Sequence, residues 1–220
     1  MYLIAIRTVG ISAIAIFCTI FGLLGGCALP SPPQRFQGYD FGGAADVVVA
    51  NPALADPSTG ARRLLLLRTP QSQAGLDGSA MLYRLAYTNA QQLRAYAQAR
   101  WSLPPTQLLQ QRLQPVLQNH FLLVGAADLL GSRSAALELR IELEEFSQVF
   151  EQPDASHAVL QLRASLIERG GTEPRGLLAQ RSFHLQATAP SPDAAGGAAA
   201  LRTASDAAAQ ELLNWLRWLP

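Results

Sequence analysis

The most constraining feature of this sequence is a set of three runs in which apolar and polar residues alternate. In the run Leu137 to Glu144, every second residue is aliphatic and the residues between them are charged. The runs Leu160 to Leu166 and Ala179 to Ala187 repeat the pattern, and Gln152-Pro153-Asp154 separates the first two. Alternation at period two predicts strands with one buried face and one polar face. Three such strands joined by turns are expected to form an antiparallel meander.

The first run also carries a row of charged side chains on its polar face. Its members are Glu138, Arg140, Glu142 and Glu144. The row could be a carboxylate cluster for metal binding or acid–base chemistry, but period two alone explains it as a solvated strand face, and we favour that interpretation. Phe146 and Phe150 continue the apolar trend out of register, which predicts a β-bulge.

The stretch Leu76 to Pro105 predicts a hairpin that leads into a helix. Met81 to Tyr87 alternates, a short polar break follows, and Gln91 to Ala99 alternates again. Pro105 then favours the first turn of a helix, because proline fixes φ near the helical value and lacks only an amide that this turn does not use. Pro115, inside the same helical pattern, predicts a kink or a break.

Shorter segments complete the pattern of elements. We predict a first strand within Arg35 to Gly42, a strand at Arg62 to Arg68 that is covered on both faces, and a buried strand at Phe121 to Gly125. Pro190 to Gly197 is predicted to be a linker, and Ala198 to Leu219 a helix with an apolar stripe. The fold class is therefore α+β: a mixed, largely antiparallel sheet of about six to eight strands with two main helices packed on it.

Charge and cysteine content exclude several classes of protein. All 17 basic residues are arginines, against 16 acids. Arg7 lies in the N-terminal segment described below, and without it the numbers of arginines and acids are equal. A nucleic-acid-binding protein would instead have an excess of basic residues. Both cysteines, Cys18 and Cys27, lie near the N-terminus, and the three histidines lack the spacing of metal ligands. We therefore expect no metal site and no cofactor.

The N-terminus has the pattern of a signal peptide. Arg7 precedes an apolar run from Val9 to Leu24. The run ends in Leu24-Gly25-Gly26-Cys27, which resembles a bacterial lipobox. By that resemblance, cleavage follows Gly26, and Cys27 carries a diacylglycerol on sulfur and an acyl chain on its new amino group, which together make a firm anchor. The alternative is an uncleaved transmembrane helix, for which the run is near the minimum length of about 17 residues.

The lipobox pattern divides the chain into three parts. Residues 1–26 are the expected leader, residues 27–35 a lipid-anchored linker, and residues 36–220 a single periplasmic domain. Ala28, which follows the cysteine, is not the aspartate that retains lipoproteins in the inner membrane. We therefore expect an outer-membrane lipoprotein of a Gram-negative envelope that faces the periplasm.

Several short motifs, taken in order, resemble the auxiliary lipoproteins of ABC-type transport systems, the PqiC-like group. They are the lipobox at Cys27, Tyr39-Asp40-Phe41-Gly42, Leu76-Asp77, Met81 with Tyr83 and Arg84, Tyr96 with Arg100 and Trp101, Leu108-Leu109, Arg181 with Phe183, and Trp215 in an Ala-rich helix. The resemblance implies a lipid-anchored accessory protein and not an enzyme. It also implies partners, namely an ABC permease and ATPase and an MCE-domain protein, which move lipids or other hydrophobic compounds between the two membranes.

Five residues around the predicted hairpin are candidates for a partner-binding surface. They are Tyr83, Arg84, Tyr96, Arg100 and Trp101. Aromatic residues and arginine dominate binding hot spots, which is why this concentration indicates a contact surface. The alternative is that Tyr83 and Trp101 are core anchors and that the two arginines satisfy local carbonyls or acids.

Two other functions stay open at this point. The protein could bind a lipid itself, in a pocket between sheet and helices, or it could be an envelope-assembly lipoprotein unrelated to transport. An esterase is disfavoured because the chain contains no Gly-x-Ser-x-Gly motif. We expect Trp215 and Trp218 to pack in the core or at the helix end rather than to contact lipid.

Overall fold

A computed structural model describes residues 36–43, 62–73, 75–129, 136–169 and 176–219. The predicted leader at 1–26, the predicted lipidation site Cys27 and the predicted linker at 27–35 lie outside these residues. The described part confirms an α+β fold with one mixed, mostly antiparallel sheet. It contains nine strands rather than six to eight, because two strands have only two residues each.

The elements follow one another in this order: β1 (Gln37–Tyr39), β2 (Leu64–Leu67), β3 (Gln71–Ser72), β4 (Ala80–Leu85), α1 (Ala86–Asn89), β5 (Ala90–Trp101), α2 (Pro105–Gln118), β6 (Leu122–Leu123), a 3-10 turn (Ala127–Leu129), β7 (Ala136–Gln152), β8 (Ala155–Arg169), β9 (Leu177–Thr188) and α3 (Ala194–Arg217).

The predicted meander is confirmed as β7, β8 and β9, paired in antiparallel fashion. Ile141 lies opposite Ala164, which lies opposite Arg181 on β9. The predicted bulge is also confirmed, because the register of β7 against β8 shifts between Leu143 and Glu145. One extra residue there turns Phe146 back toward the core, where its side chain is almost fully buried.

The other edge of β7 carries three parallel strands, and the sequence did not predict this pairing. β2, β3 and β4 lie one after another along it, with Leu66 beside Glu138, Gln71 beside Glu142 and Arg84 beside Val149. β4 and β5 form the predicted antiparallel hairpin, and β1 adds to β5 in parallel. The three short strands between Leu64 and Leu85 therefore pair with successive parts of the long β7 strand.

The hairpin and the short strands differ in detail from the prediction. β4 ends at Leu85, because residues 86–89 form the helical turn α1 that closes the hairpin, and Tyr87 is exposed instead of continuing the strand. The predicted buried strand at 121–125 is reduced to β6, whose Leu122 is exposed. β1 is likewise shorter than predicted, whereas β2 is covered as expected, with Leu65 and Leu66 buried.

The acidic row on β7 is only partly solvated, so the prediction is wrong for Glu138. Glu142 is exposed, but Glu138 is fully buried. Arg140 contacts the Glu138 carboxylate at 2.7 Å, Arg68 at 3.7 Å, and Arg169 completes the cluster. A buried carboxylate is tolerated here because three guanidinium groups share it.

Helix α2 is continuous from Pro105 to Gln118, so of the predicted kink or break at Pro115, the break is wrong and the kink stays a prediction. Pro115 lies in the last turn, where Val116 and Leu117 are buried and hold the helix against the core. The carbonyl of Pro115 accepts a hydrogen bond of 2.9 Å from the Asn119 side chain. Burial of the final turn therefore compensates for the backbone hydrogen bond that proline removes.

Helices α2 and α3 are joined by an ion pair. The Arg112 guanidinium, which is almost fully buried, donates to Asp206 through Nε at 2.5 Å and through Nη2 at 3.0 Å. A bidentate pair of this kind fixes the two helices relative to each other.

Helix α3 starts at Ala194, four residues earlier than predicted, so part of the predicted linker is helical. The Asp193 side chain accepts a hydrogen bond of 2.7 Å from the Gly196 amide and so caps the helix. This bond is the main cause that lowers the pKa of Asp193, and a hydrogen bond from Ser191 adds to it. The sequence pattern predicted a linker because two glycines lie in the first turn of the helix, although Asp193 is a favourable N-cap residue.

Candidate functional site

The five candidate residues lie on or beside the hairpin of β4 and β5, on two faces of the sheet. Tyr83 is beside Gln148 in the parallel pairing of β4 with β7, and Gln148 faces the helices. Side chains alternate along a strand, so Arg84 lies on the opposite face. The structure therefore separates Tyr83 from Arg84 and brings Tyr83 together with Tyr96.

Tyr83 and Tyr96 form an aromatic cluster with Phe150. The ring centroids of the two tyrosines are 4.6 Å apart, and that of Tyr83 is 6.0 Å from that of Phe150 in an edge-on arrangement. Such pairs contribute about 0.5–1.5 kcal/mol beyond the area that they bury. Both tyrosines are half-buried, so each has one part in the fold and one part accessible to solvent.

A buried chain of hydrogen bonds continues from Tyr96 into the sheet. The Tyr96 hydroxyl donates to Gln148 Oε1 at 2.8 Å, and Gln148 Nε2 donates to Ser156 Oγ at 2.8 Å. Burial, reinforced by the neighbouring Tyr83, raises the pKa of Tyr96 well above its usual value. The hydroxyl therefore stays protonated and acts as a donor.

Arg84 is held by an ion pair on the face of the sheet that lies away from the helices. Its guanidinium contacts both carboxylate oxygens of Glu145, at 2.9 and 3.3 Å. Glu145 also accepts a hydrogen bond from the Ser147 hydroxyl. The geometry matches the alternative in which this arginine satisfies a local acid, although part of the guanidinium remains accessible.

Arg100 and Trp101, adjacent on β5, have opposite environments. Arg100 is exposed, and its guanidinium carbon lies 3.9 Å from the centroid of the Phe36 ring. Trp101 is only 3% exposed, and its ring lies 5.6 Å from Phe41 and from Phe146. Trp101 is thus a core anchor, and Arg100 is the most accessible of the five candidates.

Sequence reasoning missed three interior residues that hold the tyrosines of this site in place. Gln148, Ser156 and Gly197 carry no motif, and their roles arise from contacts between segments that are distant in sequence. A Cβ atom on Gly197 would lie 2.1 Å from Gln148 Oε1, so a side chain at this position would displace the buried Gln148 amide.

No metal centre or membrane-spanning helix is found in the described ranges. Within these ranges, no group of three or more histidine, cysteine, aspartate or glutamate residues comes together as a metal site requires. Of the helices in the same part of the chain, none is both long and apolar enough to cross a bilayer.

The sequence matches one protein family over most of its length. Residues 48–212 match the family described as the ABC-type transport auxiliary lipoprotein component. The chain belongs to this family. The predicted family resemblance is therefore confirmed, and with it association with an ABC transport system at the cell envelope. The family is one of transport accessory components and not of enzymes.

Two solved structures share the fold of this transport auxiliary lipoprotein. Protein XCC0632 from Xanthomonas campestris, of the DUF330 family, is 22% identical, with a TM-score of 0.63; the match covers 82% of this chain and 94% of that one. An uncharacterized protein is 16% identical, with a TM-score of 0.59, and the match covers 83% and 99% of the two chains. No curated protein sequence matches this chain.

Proposed function

We propose that this auxiliary lipoprotein is anchored through Cys27 and helps an ABC transport system to move lipids or other hydrophobic compounds between the inner and outer membranes. An MCE-domain protein is its direct partner, beside the permease and the ATPase. The family match over residues 48–212 carries the proposal, because it establishes the accessory role in transport. The lipobox Leu24-Gly25-Gly26-Cys27 supports the anchor.

Arg100 is the main residue of the proposed partner contact. Tyr83 and Tyr96 add accessible parts on one face of the hairpin, and Arg84 adds an accessible part on the other face. Arg100 is exposed and already oriented by Phe36, so little side-chain entropy is lost when a partner binds. Trp101 supports this surface from the core and does not reach the partner itself. Lipidation and the outer-membrane location are also part of the proposal, supported by Ala28 after the cysteine.

Capture of the MCE partner from solubilised envelopes tests the proposal. Arg100→Gln is expected to reduce capture about tenfold or more, the effect of losing one hot-spot residue. Arg181→Gln is the matched control, because Arg181 is also exposed on a strand and lies 4.9 Å from a phenylalanine ring, at β9. Equal capture by both variants, with unchanged melting temperatures, would remove Arg100 from the surface.

The intact mass of the captured protein tests the anchor in the same experiment. Cleavage after Gly26 and a mass increase for three acyl chains on Cys27 are expected. An unmodified sulfur with the leader still attached would contradict the anchored mechanism. Phospholipid that remains bound in a one-to-one ratio after removal of the anchor would instead favour a lipid-carrying protein.

A further inference from the structure

Exposed apolar side chains collect at one end of the sheet, where β7 begins. Leu122 on β6 pairs with Leu64, next to the start of β7, and is 52% exposed. Leu177 lies opposite Ile167, which lies opposite Glu138 near the same start, and Leu177 is 60% exposed. Large apolar side chains are thus accessible on both sides of the β7 start.

Trp218 lies toward the same end. Helices α2 and α3 run in parallel, because Arg112 in the middle of α2 pairs with Asp206 in the middle of α3. His120, just after α2, lies near Arg217 at the end of α3, and the charge of Arg217 contributes to lowering the pKa of His120. The end of α2 leads directly into β6. Trp218, which follows α3, is 88% exposed, so the expected packing of this residue at the helix end is not found.

Arginines surround these apolar side chains. Arg62 and Arg217 are exposed, and neither forms an ion pair with any described residue. Arg62 Nη1 donates to the Gln118 carbonyl at 2.8 Å. Because a carbonyl has no net charge, this contact does not neutralise the guanidinium of Arg62.

Three further arginines at this end share one buried carboxylate, that of Glu138. Arg68, Arg140 and Arg169 are each half exposed. Other acids in the described part of this end are Asp128 and Glu168, so positive charge remains in excess.

We infer that this end of the molecule contacts the surface of an anionic phospholipid bilayer. The contact surface, here called the basic end, consists of Arg62, Leu122, Leu177, Arg217 and Trp218. Tryptophan is enriched at membrane interfaces, and arginine keeps its guanidinium at the headgroup level while its stem is buried. Single apolar side chains separated by arginines suit a soft bilayer surface better than a protein, whose hot spots are clustered and closely packed.

This inference depends on the proposed function in one respect, because the contact is tested on a protein held at the membrane through a lipidated Cys27.

Fluorescence of the processed lipoprotein in vesicles with brominated acyl chains tests the inference. Trp101 and Trp215 are buried, so quenching by bromine reports mainly on Trp218. Vesicles that contain phosphatidylglycerol are expected to quench part of the emission, and Trp218→Phe is expected to abolish that quenching. The double variant Arg62→Gln and Arg217→Gln is expected to lose at least half of it, since both arginines are attracted to the anionic surface.

Matched controls separate the possible outcomes. Arg94→Gln with Arg202→Gln removes the same charge away from the basic end, on β5 and in the first half of α3, and should leave quenching unchanged. Equal quenching in phosphatidylcholine vesicles would overturn the anionic specificity, and no quenching in either would overturn the contact itself. Loss of MCE-protein capture by the basic-end variants, without quenching in the wild type, would assign the surface to a protein partner. The intact mass reports acylation separately, so failure of the anchor is distinguishable from failure of this contact.

Discussion

A single buried amide, that of Gln148, connects the tyrosine cluster to the interior. Its oxygen accepts from Tyr96 and its nitrogen donates to Ser156, so both ends of the side chain are satisfied although the residue is almost fully buried. Buried amides that lose a partner destabilise a fold by more than the hydrogen bond contributes, because the orphaned group cannot return to water. The half-buried Tyr96 is therefore a structural residue as well as a candidate contact.

The substitution Tyr96→Phe is expected to lower the free energy of unfolding by about 1–3 kcal/mol, since it leaves Gln148 Oε1 without its donor. Urea unfolding followed by circular dichroism measures the change. Tyr83→Phe is the matched control, because the Tyr83 hydroxyl forms no hydrogen bond with any described residue, and it should cost less than about 0.5 kcal/mol. Equal effects of the two substitutions would show that the hydrogen-bond chain is not important for stability.

At the scale of elements, the approach of α3 to the sheet depends on its first turn. Asp193 caps the helix, and Gly197 lies directly over Gln148. Glycine is normally unfavourable within a helix by about 1 kcal/mol relative to alanine. Its presence here is explained by packing, because any side chain at position 197 would overlap a buried residue.

The substitution Gly197→Ala therefore tests two opposing effects. Helix propensity alone predicts a gain of about 1 kcal/mol, whereas overpacking against Gln148 costs about 1–3 kcal/mol. We expect a net loss of about 1 kcal/mol and a lower melting temperature. Gly38→Ala, at a site where a Cβ atom meets nothing within 4 Å, should change stability little. A stabilised Gly197→Ala protein would mean that α3 lies farther from the sheet.

At the scale of the whole molecule, the distribution of charge is uneven although the total is close to zero. Arginines concentrate where β7 begins and where both long helices end. Burial lowers the pKa of His120 in this region, and Arg217 and Arg62 lower it further. A lowered pKa means that the folded state binds the proton of His120 less tightly than the unfolded state does, so stability depends on pH.

Stability is expected to be highest above the unfolded pKa of His120, near 6.5. As the pH falls below that value, the unfolded chain takes up the proton first, and stability is lost until the lowered pKa of the folded state is passed. Thermal unfolding of the wild type and of His120→Gln between about pH 7.5 and pH 5 measures this contribution. The variant should show a shallower decline, and a slope equal to that of the wild type would show that His120 does not cause this pH dependence.

Local sequence patterns predicted the meander, the bulge, the hairpin and the proline-started helix, because period-two alternation and turn chemistry depend only on near neighbours. They also predicted the family resemblance. The candidate contact residues were predicted as a set, but the structure divides them between two faces and places Trp101 in the core. Whether the accessible ones bind a partner stays a prediction.

The parallel pairing of β2, β3 and β4 along β7 was decided only by the tertiary structure, since no local pattern encodes which distant strand becomes a neighbour. Burial of Glu138 has the same origin. Glu138 and Glu142 have the same place in the alternating pattern, but Arg68, just after β2, and Arg169 on β8 contact only Glu138. The sequence by itself determined the long strands and the two main helices, through periodicity and turn residues. Only the packing of segments far apart in the chain determined which polar side chains are buried and which surfaces are accessible to solvent.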